Sequence, residues 1–293
     1  MSQPEYEKYY VPEESPWPFL GAVALFLIAI GAGNFVIEST SDKEGYGLYI
    51  LLAGLATLFV MLFGWFRNQI HESMSGMYSA QLGRSYKQGM AWFIFSEVMF
   101  FGAFFGALFY ARAISVPWLG GSGNNLATYE VLWPTFEAIW PLVNTPDGTT
   151  TEAMGWYGLP LINTVLLLTS SVTCHIAHVA LEENKRTKLK WFLALTVLIG
   201  AVFMVLQVEE YIHAYSEMNL TLESGIYGST FFLLTGFHGF HVTLGAVILF
   251  IMLLRIMKGH FSPENHFAFQ AGSWYWHFVD VVWVILFFFV YIF

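Results

Sequence analysis

Apolar and polar positions along this chain do not alternate with the period of an amphipathic helix or strand; they fall into long apolar runs broken by short polar stretches. Runs long enough for the ~20 helical residues that cross a bilayer number seven, near 17–38, 46–66, 89–112, 156–181, 190–213, 225–256 and 271–293. The pattern predicts an all-α, polytopic membrane protein. A cytoplasmic tail is expected over 1–16, two spans within 17–66, a cytoplasmic linker at 67–88, and a five-helix bundle over 89–293 with an outer loop at 113–154. The third run carries one carboxylate, Glu97, among aromatic residues. A charge at that depth costs at least ~2.5 kcal/mol on insertion scales, so it should face protein, water or a partner. Gly102 and Gly106, four apart in the same run, are expected to let another helix approach closely.

Composition agrees with the pattern: 56% of the 293 residues are hydrophobic and 11% charged, against ~25% charged in an average soluble domain. The tail lacks the positive n-region and cleavage site of a secretory signal, so the first span is expected to stay in the mature protein. One cysteine, Cys174, excludes an internal disulfide and any two-thiolate metal centre in this chain. Sorting the polar stretches by side puts ten of the twelve bases, Lys8 among them, on one face and only Lys43 and Arg112 on the other. By the positive-inside rule the N-terminus is then cytoplasmic and the C-terminus on the outside. The outer face collects eleven acids, including Asp42, Glu209 and Glu210, which suits either a cationic partner or a hydrated surface.

Polar residues inside the runs are the candidates for chemistry. The second run ends in Trp65-Phe66-Arg67, an interfacial anchor, with His71 and Glu72 expected in a polar loop. Trp133, Phe136 and Trp140 recur at helical spacing in the 113–154 loop and fit either a surface helix or an aromatic plug over the bundle. Thr164, Ser171, His175 and His178 share a stripe in the fourth run, where interhelical hydrogen bonding outweighs metal binding because no carboxylate or thiolate completes a ligand set. Gln207, Glu210 and Tyr211 end the fifth run, where hydration accounts for them. His238 and His241 lie three apart in the sixth run, as do His277 and Asp280 in the seventh. Haem or metal ligation must be weighed for these, although hydrogen bonding between helices explains them more simply. Glu97 is expected to keep its proton near neutral pH and to bond a histidine such as His238 or His241.

Three stretches go further. Ser96-Glu97-Val98-Met99-Phe100-Phe101, Thr235-Gly236-Phe237-His238-Gly239-Phe240-His241-Val242 and Trp274-Tyr275-Trp276-His277-Phe278-Val279-Asp280-Val281-Val282-Trp283 closely resemble subunit III of haem-copper cytochrome c oxidase. Tyr227-Gly228-Ser229-Thr230-Phe231-Phe232 and Gln207-Val208-Glu209-Glu210-Tyr211 add to the resemblance. It implies seven helices in a two-plus-five arrangement around a lipid-filled cleft, in a bacterial inner-membrane subunit of the aa3 type. It implies no haem, copper or other metal in this chain, those groups belonging to partners resembling subunits I and II, with cytochrome c as donor and no nucleic acid involved. The subunit would stabilise the oxygen-reducing, proton-pumping core and bind phospholipid. Carried over by position, phospholipid contacts fall on Trp65, Arg255 and His260, while His71 stands where many relatives have arginine. A quinol oxidase subunit III would share many of these stretches but typically lacks the first two spans. A proton-coupled transporter using Glu97 and Asp280 would show inverted repeats, and none is evident.

Overall fold

The computed structural model describes residues 10–11, 14–41 and 43–293; most of the expected tail, Lys8 and Asp42 lie outside them. Seven helices are long and apolar enough to cross a membrane, and no strand occurs among the described residues. They are α1 (Trp17–Thr40), α2 (Gly47–Met74) and α3 (Ala80–Tyr110), followed after two short helices, α4 (Val116–Leu119) and α5 (Leu126–Leu132), by α6 (Leu159–Glu182), α7 (Arg186–Glu217), α8 (Ile226–Met257) and α9 (Phe267–Leu286). π-helical turns extend α3 at Ala111–Ser115 and α9 at Phe287–Ile292. The chain divides within α3 into two compact units, one ending at Tyr86 and one running Lys87–Phe293.

In the first unit α1 and α2 form an antiparallel pair. A Cβ on Gly31 would lie 2.3 Å from the Leu51 amide nitrogen, and one on Gly54 2.7 Å from that of Ile28, so these positions set how closely the backbones approach. Glu38 of α1 accepts the Gly47 N–H at 3.0 Å, placing a carboxylate on the exposed amide end of α2. The expected linker at 67–88 is largely helical: α2 runs to Met74 and α3 starts at Ala80, so His71, Glu72 and Gly83 lie on helices rather than in a loop. The reason is local. Tyr78 donates to the Gln69 side chain at 2.8 Å or to Glu72 at 3.1 Å, and Tyr86 to Gln69 at 2.9 Å, so polar side chains satisfy one another without breaking the helices. Burial, together with the neighbouring Tyr86 and Glu72, pushes the Tyr78 phenol well above its usual range.

The second unit is built around α9. Trp276 and Trp283 are fully buried, and their indole N–H groups donate to α6, to Ser170 Oγ at 3.0 Å and Thr164 Oγ1 at 2.9 Å. A buried indole thus gains its partner without leaving the apolar core. Room for Trp276 comes from two glycines: a Cβ on Gly200 of α7 would meet its ring at 2.7 Å, and one on Gly245 of α8 at 2.9 Å. Gly102 and Gly106, expected to admit a neighbouring helix, have nothing within 4 Å. α3 buries its Phe101 and Leu108 instead.

Two helix ends in this unit close with the same hydrogen-bond motif. At the end of α6, Asn184 takes φ 57, with Asn184 N–H bonded to Leu181 O at 3.0 Å and Lys185 N–H to Ala180 O at 2.8 Å. At the end of α8, Gly259 takes φ 77, with Gly259 N–H to Ile256 O at 3.0 Å and His260 N–H to Arg255 O at 3.1 Å. Both are Schellman turns, which satisfy the last carbonyls and reverse the chain within a few residues. The second one puts His260 beside Arg255.

In the 113–154 loop, Trp133, Phe136 and Trp140 do not form a helix, since α5 stops at Leu132. Phe136 is buried, Trp133 donates to Leu119 O at 2.8 Å, and Trp140 meets the Tyr227 ring edge-on at 5.9 Å. Pro134 and Pro141 each remove a backbone donor, and of the three aromatic side chains Trp140 is the one set against the start of α8.

Candidate functional site: a shared proton between two helices

Glu97 of α3 and His241 of α8 meet at 2.8 Å between Oε2 and Nε2. The other ring nitrogen of His241, Nδ1, lies 2.6 Å from the Phe237 carbonyl. A carbonyl only accepts, so Nδ1 carries a proton. The contact to Glu97 then holds a single further proton: a protonated carboxyl donates to neutral Nε2, or an imidazolium donates to a carboxylate. Either way the pair is neutral overall. Aromatic rings enclose it, with Phe101, Phe240 and Phe100 centred 4.9, 5.8 and 5.9 Å from the imidazole and Tyr275 at 6.4 Å. The Glu97 side chain is 21% exposed and that of His241 8%, so the pair sits at the edge of the bundle rather than at its centre.

His238, the other expected partner, does not reach Glu97. It is fully buried and donates from Nε2 to the Val279 carbonyl of α9 at 3.1 Å, its ring against Trp283 at 5.0 Å. Three residues advance a helix by ~300°, enough to aim His238 and His241 at different neighbours. His277 and Asp280 form a separate cluster: His277 Nδ1 is 2.7 Å from Ser171 Oγ of α6 and 3.6 Å from Asp280 Oδ2. The longer distance is an ion-pair separation rather than a hydrogen bond. Cys174 is buried nearby, 3.6 Å from Ser273 Oγ.

The expected stripe on α6 divides. Thr164 and Ser171 bond α9, but His175 is exposed on the outside of the helix. His178 does have a carboxylate near it, since Glu182 one turn later lies 3.8 Å away. Hydration does not account for the end of α7. Gln207 and Glu210 are buried, Tyr291 of the final π-helical turn donates to Glu210 Oε1 at 2.7 Å, and Tyr211 shares a 2.7 Å bond with Thr235. The three-residue spacing of Gln207 and Glu210 carried the signal, but their distance from the middle of the run masked it.

Of the phospholipid positions, Trp65 is exposed on α2 and stacks on Phe66 at 5.6 Å. Arg255 is buried with its guanidinium 4.3 Å above the Phe261 ring. Burial and the charges of Arg255 and Lys258 hold the His260 imidazole below its usual value.

These features define a multi-pass membrane protein whose buried polar groups join helix to helix. Comparison with known proteins identifies the kind. The family model for cytochrome c oxidase subunit III matches residues 7–293. A protein of Rickettsia conorii (strain ATCC VR-613 / Malish 7), named probable cytochrome c oxidase subunit 3, is 38% identical over 97% of this chain and 93% of its own length. The cytochrome c oxidase subunit 3 proteins of Cyprinus carpio and Latimeria chalumnae are 37% and 38% identical, each over 97% of this chain and 96% of their own length. The chain belongs to the cytochrome c oxidase subunit III family, and so to an oxidoreductase complex of the respiratory chain.

Proposed function

We propose that this chain serves as the subunit III partner of subunits I and II in a cytochrome c-oxidising complex of the bacterial inner membrane, with its N-terminus cytoplasmic and its C-terminus periplasmic. The redox centres, haem and copper, belong to those partners. This chain supplies a lipid-binding helical flank that preserves proton uptake and turnover in the core. The Glu97–His241 contact carries the reading: one exchangeable proton held at 2.8 Å within an aromatic shell can be taken up or given back only if water or a partner group reaches the exposed edge of Glu97. His238 and His277 act beside it as interhelical anchors, and Asp280 as a buried acid beside His277. The ten-to-two partition of bases supports the orientation.

Bound phospholipid is the second part of the proposal. Arg255 and Lys258 gather positive charge where α8 ends, beside the His260 imidazole, a setting in which a guanidinium can take a phosphate through two parallel hydrogen bonds. Trp65 supplies an exposed aromatic surface suited to acyl chains. Replacing Arg255 by Ala in the purified complex should lower phospholipid per complex, measured by mass spectrometry, and shorten turnover lifetime. Wild-type values for both would refute the lipid assignment while leaving the family membership untouched.

A further inference from the structure

A second cluster of ligand-bearing side chains lies at the end of the bundle where α6 stops and α9 starts. His178 and Glu182 stand one turn apart on α6, and His266 is the residue that caps the N-terminus of α9. One donor atom from each of the three lies within 4.8 Å of those of the other two. His178 Nε2 is buried and has no hydrogen-bond partner; Glu182 Oε1, at 3.8 Å, is too far to accept from it. The two imidazoles meet edge to face, with centroids 5.7 Å apart. His266 Nδ1 lies 3.2 Å from the Ser262 carbonyl, which only accepts. The proton is thereby fixed on Nδ1 and the other ring nitrogen keeps its lone pair, the outer-shell arrangement typical of metal-binding histidines.

We propose that His178, Glu182 and His266 form a zinc site. Two imidazoles and one carboxylate are a known three-ligand set for Zn2+, completed by water in the fourth position. Glu182 is 57% exposed and leaves that position open to solvent. Calcium and magnesium favour all-oxygen shells, which this cluster does not provide. Zinc would account for both the unpartnered His178 nitrogen and the aligned His266 ring, whereas a surface His–Glu pair would account for neither. The bases that would repel a cation are directed elsewhere: Lys185 pairs with Glu183 at 2.7 Å, and Arg186 donates to the Phe261 carbonyl at 2.5 Å.

The ion would tie α6 to the segment between α8 and α9. That segment also carries Phe261, the ring beneath the Arg255 guanidinium. Zinc would therefore brace the same backbone that presents Arg255 and His260.

The test uses the oxidase complex purified with its partner subunits, stripped with a chelator and titrated with Zn2+. Metal content is read by mass spectrometry and coordination by X-ray absorption at the zinc edge. Wild-type complex is expected to bind one zinc more than either Glu182→Gln or His266→Ala. Affinity at this site should fall at least ~100-fold in each variant, beyond the ~10–100-fold typical of losing an outer-shell partner. Glu182 is exposed enough for its variant to fold normally, so an altered fold cannot stand in for a lost ligand. Equal zinc content and affinity in wild type and both variants would overturn the site, as would loss in only one of the two.

Discussion

Replacing Glu97 by Gln and by Ala separates the two ways of placing the shared proton. The His241 Nδ1 proton is committed to the Phe237 carbonyl at 2.6 Å, so Nε2 is the atom that meets residue 97. If the carboxyl holds the proton, the side-chain amide of the Glu97→Gln variant can donate to Nε2 in its place. The bond and the side-chain shape survive, and the cost stays below ~1 kcal/mol, within the net worth of one neutral hydrogen bond. Ala leaves Nε2 without a partner on a side chain that is 8% exposed, a loss of ~1–3 kcal/mol. If the pair were ionic, both variants would remove the counter-charge and with it a charge-assisted bond, so Gln would lose stability as Ala does. No Lys or Arg lies near the middle of the spans, and placing two charges there costs several kcal/mol apiece. The neutral form is therefore expected, with Glu97→Gln close to wild type in stability and Glu97→Ala clearly below it. The assay is thermal unfolding of the purified complex in detergent, run beside turnover, proton pumping and inactivation lifetime. A Gln variant as unstable as the Ala variant would refute the neutral pair. Wild-type function in the Gln variant would reduce Glu97 to a structural link, whereas loss of pumping or lifetime in an intact complex would tie the exchangeable proton to function.

Gly200→Ala and Gly245→Ala should each destabilise by ~1–3 kcal/mol through overpacking against the Trp276 ring, read as a lower melting temperature; unchanged melting would mean that the ring relocates freely. Tyr291→Phe keeps the ring but removes the donor to Glu210 Oε1, leaving a buried acceptor at a cost of ~1–3 kcal/mol, checked by the same melt. His260, held below its usual pKa, contributes stability that is complete above about pH 6.5 and lost as pH falls through its lower folded value; His260→Gln should flatten that acid-side slope in a melting-versus-pH series, and an unaltered slope would exclude the residue.

How much could be read in advance depended on the kind of information needed. Seven apolar runs located seven helices, because bilayer thickness fixes length and composition together. Helix ends were less legible: 67–88 looked like a linker, yet the mutual hydrogen bonds of Gln69, Glu72, Tyr78 and Tyr86 let helices continue through polar sequence. Glu97 stood out because an acid in an apolar run has few explanations. Its choice of His241 over His238 did not, since one helix face covers both and only the packing of α8 against α3 and α9 separates them. Glu182 and His266 were passed over for the opposite reason. Each reads as an ordinary polar residue at a helix end, and only folding brings them to His178.

The two interhelical carboxyl contacts also bear on how the chain enters the membrane. His241 lies 144 residues after Glu97, and Tyr291 lies 81 residues after Glu210. At synthesis rates of ~5–20 residues per second, Glu97 waits about 7–29 s for its partner and Glu210 about 4–16 s. For that interval α3 and α7 hold a carboxyl with none of its final protein partners. A protonated acid bears that wait at far lower cost than a carboxylate. The arrival of α8 and of the last helical turn converts a transient liability into a fixed link between helices.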